Sequence, residues 1–262
     1  MKYIKTILAI LVAVASLYSC KTQYDLVLEG NDIDAKYNLA FDYFNNGKYM
    51  KAAELFESLS LMTNGSSKDD TVRYYLGLSN YSSKDYYTAE TNFDNFLKNY
   101  PLSPFAENAQ FLRIDCLYKA TLRYELDQNP TYAAMTAISQ FLIDHPEGAN
   151  ADICRHMLQD LGERLDRKAY ENAKLYYKME HYHSARVAFK NVLKDDADNI
   201  YREEILYYST LSSYKYANMS VKEKQKERYL LFIDDYLNFI GEYPESKYRK
   251  ELDNLYAKVK DK

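Results

Sequence analysis

Glycine and proline are scarce in this chain, 7 and 5 among 262 residues. A sheet-rich domain needs a turn signal roughly every 8–12 residues, and so few turn formers cannot supply them. Tryptophan is missing altogether, which removes the indole platforms expected of a large sugar-binding protein. Positive charge is not in excess either. With 34 basic and 38 acidic side chains the formal net charge is -4, and a nucleic-acid partner would call for a basic patch or stripe. No nucleic acid is expected.

Catalytic motifs are equally sparse. There is no glycine-rich phosphate loop, no nucleophile elbow and no isolated carboxylate pair in an apolar setting. The histidines are His145, His156, His181 and His183. His181 and His183, two apart, diverge on a helix, and no cysteine or carboxylate lies near them at zinc-ligand spacing. The expectation is a protein that is not an enzyme and has no metal or cofactor. Cys116 and Cys154 fall in helical segments and read as small buried hydrophobes, although an oxidising compartment allows a disulfide between them.

What is abundant is tyrosine: 29, beside 11 phenylalanines. A large ring with a polar tip serves both cores and binding surfaces. In a thin repeat protein, where many rings stay partly exposed, tyrosine is the tolerant choice.

The N-terminus reads as a targeting segment. Two lysines within residues 1–5 precede an unbroken run of apolar or small residues over 6–15, then Leu17-Tyr18-Ser19-Cys20. A basic stretch, a short apolar stretch and a small residue before the cut describe a secretory signal peptide. The run is too short for a membrane span, which needs about 20 apolar residues. A cysteine placed here resembles the lipobox of bacterial lipoproteins, with Tyr18 departing from the usual small residue. That resemblance implies lipidation of Cys20 after removal of residues 1–19, followed by a tether over 20–32.

The rest is a repeat. Tyr49-x-x-Ala52-x-x-x-Phe56, Tyr86-x-x-Ala89-x-x-x-Phe93 and Tyr182-x-x-Ala185-x-x-x-Phe189 align without gaps. Positions three, four and seven apart share one helical face. Nine residues before each tyrosine sits a small residue, Ala40, Gly77 or Ala173, which lets a preceding helix pack closely. Pro101 closes the second unit where a helix should stop. The pattern resembles the tetratricopeptide repeat, a helix–turn–helix unit of about 34 residues. Two degenerate units, about 103–147 and 200–246, bring the count to five. The expected fold is an all-α solenoid with an extra connecting helix over 149–168 and a C-terminal capping helix near Leu252 to Val259. The expected halves are 33–148 (repeats one to three) and 149–262 (repeats four and five with the cap).

In stacked units of this kind the first helix lines the concave face. Register places Tyr37, Phe41 and Phe44 there in the first unit, Tyr74, Leu78 and Tyr81 in the second, and Tyr170, Lys174 and Tyr177 in the fourth. These six N-terminal side chains form a candidate peptide groove. The recurrence of Tyr37, Tyr74 and Tyr170 at one repeat position fits packing equally well.

Five repeats behind a lipobox, with Phe96-Leu97-Lys98-Asn99-Tyr100-Pro101, the stretch Lys168 to Tyr177 and the stretch Phe239 to Lys247, resemble the BamD family. Its members are lipoprotein subunits of the machine that assembles β-barrel proteins in the bacterial outer membrane. The tyrosine richness and the Leu-Tyr-Ser-Cys anchor are similar to versions from the Bacteroidetes lineage. The resemblance implies a scaffold anchored in the outer membrane and facing the periplasm. Its N-terminal repeats would receive unfolded barrel precursors through a C-terminal signal ending in an aromatic residue. Its C-terminal repeats would dock on periplasmic domains of the central, BamA-like barrel subunit. The competing reading is another envelope scaffold, either a glycan-binding partner of a nutrient transporter or a regulator of cell-wall synthesis or division.

Overall fold

The computed structural model describes residues 22–260. Residues 1–19 and Cys20, read above as signal peptide and lipidation site, lie outside the described residues. Every regular element described is a helix. None of those helices is long and apolar enough to cross a membrane. The chain divides into two compact units, Met1–Ala120 and Thr121–Lys262.

The first unit holds α1 (Gln23–Glu29), α2 (Ile33–Asn45), α3 (Tyr49–Met62), α4 (Asp69–Ser82), α5 (Tyr86–Asn99) and α6 (Ala106–Lys119). The second holds α7 (Asn129–Asp144), α8 (Ala151–Lys178), α9 (Tyr182–Asp195), α10 (Arg202–Asn218), α11 (Lys222–Glu242) and α12 (Arg249–Ala257). Pairs α2/α3, α4/α5, α8/α9 and α10/α11 are helix–turn–helix repeats, so the fold is an α-solenoid of tetratricopeptide type. The third repeat expected over about 103–147 is divided, with α6 in the first unit and α7 in the second.

The repeat signature does what its spacing predicts. Ala40, Ala52, Phe56, Ala89, Phe93, Ala185 and Phe189 are fully buried, and Ala173 is nearly so. Tyr182 is buried, while Tyr49 and Tyr86 are partly so. Gly77 accepts the Phe93 ring so closely that a Cβ would lie 2.8 Å from a ring carbon.

The turns inside three repeats are also copies of one another. Gly47, Lys84 and Glu180, each two residues before a motif tyrosine, adopt φ of 72°, 69° and 61°. The next amide reaches back five residues, from Lys48 to Tyr43 (2.8 Å), Asp85 to Asn80 (3.0 Å) and His181 to Tyr176 (2.9 Å). This left-handed helix cap favours glycine, and only the first repeat uses one. Helix ends at Tyr100, His145 and Tyr243 share a second device. Each precedes a proline, and each has φ between -134° and -125° with ψ of 56–68°, because the ring that follows disfavours the helical conformation.

Three features differ from the sequence-based expectation. Residues 23–29, expected within a tether, form a helix that Thr22 caps by a reciprocal bond with Asp25. The extra helical stretch 149–168 is present, but it runs without a break into the first helix of the fourth repeat. Its one interior glycine, Gly162, costs only about 1 kcal/mol in a helix. The division between units falls at 120/121, ahead of the expected 148/149. The reason lies in residues 121–126, which α8 holds: Arg164 donates to the Thr121 hydroxyl (2.9 Å), and Lys168 donates to the carbonyls of Tyr124 (2.9 Å) and Leu126 (2.8 Å).

The second unit ends with α12 and the turn after it, where Leu252 and Val259 respectively join the buried core of α10 and α11 aromatic residues. That is the capping helix the amphipathic pattern called for.

Candidate functional site

The aromatic side chains of α2 and α4 do meet. Phe41 stands edge-on to Phe56 (5.1 Å between centroids) and Tyr75 (4.6 Å), and Phe44 is edge-on to Tyr75 (5.2 Å) and Tyr49 (5.4 Å). Tyr37 leans on Phe41 at 4.8 Å. Edge-on aromatic pairs contribute roughly 0.5–1.5 kcal/mol each beyond the area they bury. Tyr75 is the hub, and it was not among the residues singled out from the sequence.

Tyr74 belongs to the core. It is 5% exposed and stacks on Phe105 at 4.4 Å and 10°. The same register recurs along the chain: residue 37 with 68, 74 with 105 and 170 with 201, each 31 apart. Lys68 lies over the Tyr37 ring at 4.8 Å, and Tyr170 stacks on Tyr201 at 4.8 Å and 5°. The partner is always the residue capping the first helix of the next repeat. Recurrence at this position is therefore a packing device. Of the two meanings left open for Tyr37, Tyr74 and Tyr170, packing explains the repetition.

Tyr81 is also engaged. Its ring is edge-on to Tyr86 at 5.7 Å, the geometry of Phe44 on Tyr49 and of Tyr177 on Tyr182. Its hydroxyl donates to the Asp115 carboxylate at 2.5 Å, and Lys119 pairs with the same carboxylate. Burial, reinforced by that carboxylate, pushes the Tyr81 hydroxyl up to about 12. Tyr37, Phe41, Phe44, Leu78 and Tyr81 stay only partly buried, so each keeps surface that a ligand can reach.

The second unit rebuilds this interface with a charge introduced at its centre. Tyr207 and Tyr208 on α10 stand to α8 as Tyr74 and Tyr75 stand to α2. Tyr208 meets Tyr177 (5.1 Å) and Phe189 (6.0 Å), the counterparts of Phe44 and Phe56. Where α2 has Phe41, α8 has Lys174. Its ammonium lies 4.8 Å from the rings of both Tyr170 and Tyr208 and donates to the Tyr170 hydroxyl at 2.8 Å. A cation over two ring faces is favourable by roughly 0.5–2 kcal/mol per contact. The first unit thus presents hydrocarbon at this position and the second a cation.

Three buried charges tie helices together, within the first repeat for Lys36 and between neighbouring repeats for Asp69 and Asp235, and none stood out in the sequence. Asp69 is fully buried; it accepts from Arg73 (2.9 Å), from the Gly65 amide (3.1 Å) and from the Tyr100 hydroxyl. Lys36 is 2% exposed and donates to the Leu28 carbonyl (2.8 Å) and the Ser58 hydroxyl (2.7 Å), while burial pulls its ammonium below the usual lysine range. Asp235, on α11, collects Arg186, Lys190 and Ser213.

Cys116 and Cys154 are buried free thiols, and burial raises them to about 12 and about 11. That keeps both protonated and poor nucleophiles.

A family model described as YfiO, outer membrane lipoprotein, matches residues 31–231, from the start of the first repeat into the fifth. The chain belongs to this family. The resemblance drawn from the repeat signatures and their flanking segments is borne out by two curated relatives. The outer membrane protein assembly factor BamD of Caulobacter vibrioides is 24% identical over 205 residues, which is 77% of this chain and 67% of the relative. The putative outer membrane protein assembly factor BamD of Aquifex aeolicus is 25% identical over 183 residues, 70% and 59%. The matched region thus spans about three fifths to two thirds of those relatives' length. Among solved structures, a TPR-repeat protein from Bacteroides fragilis aligns with a TM-score of 0.41 at 17% identity, over 88% of this chain and 99% of that one. The TPR2AB domain of yeast Sti1 aligns with a TM-score of 0.39 at 11% identity, over 87% and 98%.

Proposed function

We propose that this chain is a non-catalytic scaffold of outer-membrane β-barrel protein assembly, anchored by lipid on Cys20 and facing the periplasm. The family match over 31–231 carries this reading, and both curated relatives bear the assembly-factor name. The first unit receives unfolded barrel precursors along the half-buried surface of α2 and α4. The second docks on periplasmic domains of the central, BamA-like subunit.

The difference between the units supports that division of labour. Hydrocarbon at Phe41 and Leu78 suits an aromatic anchor of an extended peptide, whereas the cation of Lys174 suits a folded partner that presents a carboxylate. The scaffold's work is positioning: a precursor held beside the barrel experiences a raised effective concentration there.

The deciding experiment is a mild-detergent pull-down of the native protein with mass spectrometry of what accompanies it. A large barrel protein with periplasmic repeat domains is expected. A nutrient transporter or cell-wall synthases in its place would overturn the assembly role while leaving the fold intact.

The precursor surface has its own test. Tyr37→Ala combined with Leu78→Ala should weaken binding of a peptide ending in an aromatic residue by about tenfold or more, the size of one hot-spot contact. Both side chains are partly exposed, so the fold and its helical signal should survive at the assay temperature, with melting lowered by the packing each loses against its core cluster. Unchanged affinity in a folded double variant would remove this surface from consideration.

A further inference from the structure

The first unit has one end where the chain enters and where helix turns gather. Helix α1 runs antiparallel to α2. At its start Tyr24 is edge-on to Tyr43, near the end of α2, at 5.3 Å, and the Lys51 ammonium on α3 lies 4.6 Å from the Tyr24 ring. At its end the Leu28 carbonyl accepts from Lys36, near the start of α2. Thr22 is therefore at the end of the repeat that carries the Asn46–Lys48 turn.

A cleft of about 490 Å3 opens at that same end, lined by Tyr43, Lys48, Tyr49, Met50, Lys51 and Ser83. Met50 is 74% exposed. The two lysines lie over ring faces, Lys48 at 5.0 Å and Lys51 at 5.6 Å from Tyr43. The carboxylates of the surrounding segments are oriented by neutral donors and keep their charge. Glu54 accepts from the Tyr24 hydroxyl, Asp42 from the Asn46 amide (3.1 Å) and Asp85 from the Thr88 amide (3.1 Å).

Only Lys21 lies between Cys20 and Thr22, a span of at most about 7 Å. α1 is not a loose leash: Tyr24 is buried, and Val27 and Leu28 pack into the first repeat. A lipid on Cys20 would therefore hold this end of the unit, with its cleft, at the bilayer surface. The chemistry suits that place. Tyrosine rings favour the headgroup level, lysines near the surface are attracted to anionic lipid, and an exposed methionine can enter the acyl boundary.

We infer that the α2–α3 turn end of the first unit is a membrane-apposed surface whose cleft takes the phosphate headgroup of an anionic lipid. This rests on the lipid-anchor reading of Cys20.

The absence of tryptophan makes the test clean. Met50→Trp and Leu61→Trp place single probes at two exposed positions on α3, 74% and 82% exposed. Eleven residues of helix set them about 16 Å apart. The full-length, membrane-derived protein is reconstituted into vesicles of phosphatidylglycerol and phosphatidylethanolamine brominated near the glycerol. Emission is excited above the tyrosine band. The probe at position 50 should be quenched severalfold more than the probe at 61. Adding Lys48→Glu should reduce that quenching, and Lys48→Arg should preserve it.

Equal quenching at both positions, in protein whose N-terminal peptide carries lipid by mass spectrometry, overturns the membrane-apposed surface alone. Strong quenching at 50 that ignores Lys48→Glu overturns the headgroup contact. An unlipidated Cys20 overturns the anchor reading and this inference with it.

Discussion

Replacing Asp235 by alanine should destabilise the second unit by about 3 kcal/mol, the lower end of what breaking a buried ion pair costs. The size follows from what would be stranded. Asp235 accepts two bonds from the Arg186 guanidinium, 2.6 and 3.1 Å, one from the Lys190 ammonium at 2.8 Å, and one from the Ser213 hydroxyl. These partners come from α9 and α10, so one carboxylate on α11 ties three helices of the last two repeats. The Arg186 side chain is only 16% exposed and would keep its charge with no counter-ion, whereas Lys190, 50% exposed, can turn to water. That difference places the cost at the lower end.

The pH dependence has a definite sign. Burial alone would raise the Asp235 carboxyl, but the hydrogen bonds from Arg186, Lys190 and Ser213 outweigh it and hold the group below the ordinary value of 3.8. A folded-state value below the unfolded one gives stability that is complete above the ordinary aspartate range. It is lost as pH falls through the folded value. Denaturant titrations of the wild type and Asp235→Ala should therefore differ widely at neutral pH and converge in strong acid. A gap that stays constant into acid would mean the carboxylate acts through packing and not through charge.

The three intact repeats were legible because their physics is local. A Tyr–Ala–Phe stripe at spacings three and four lies on one helical face, and a small residue nine positions earlier admits the neighbouring helix. What escaped was set by contacts that leave no period. Tyr75 and Tyr208 sit beside the repeated tyrosines, in a register where the first and fourth repeats carry Asn38 and Glu171. Alignment of repeats therefore pointed to Tyr74, the core residue, and passed over its neighbour. Helix α1 has seven residues, too few for a hydrophobic period, and only Thr22 and Asp25 signalled its start. The break between units is fixed by Arg164 and Lys168 reaching back more than forty residues, which no local pattern encodes. Nothing in the sequence marked Lys36, Asp69 and Asp235 for burial, for the same reason. Register alone could not tell that Tyr74 packs inward, since a tyrosine reads the same whether its ring is buried or faces a ligand.

The close approach of α4 and α5 at Gly77 offers the second large effect. Phe93→Ala should cost about 3–5 kcal/mol, as truncation of a fully buried phenylalanine does, because the ring sits at 0% exposure against Gly77 and Tyr74. Gly77→Ala is the sharper experiment, because two effects oppose each other. Helix propensity favours alanine by about 1 kcal/mol, while a Cβ at 2.8, 3.0 and 3.2 Å from three Phe93 ring carbons overpacks a filled core at about 1–3 kcal/mol. The ring has no solvent side to retreat to, so overpacking should win and the variant should be less stable despite its better helix former. In the Phe93→Ala background the added methyl enters vacated space, and its effect should change sign. Urea unfolding of the four proteins in the cycle would give a coupling of about 1–3 kcal/mol. Additive effects would mean that α4 and α5 slide apart at no cost, and the fixed register that holds Leu78 and Tyr81 on the candidate surface would have no physical basis.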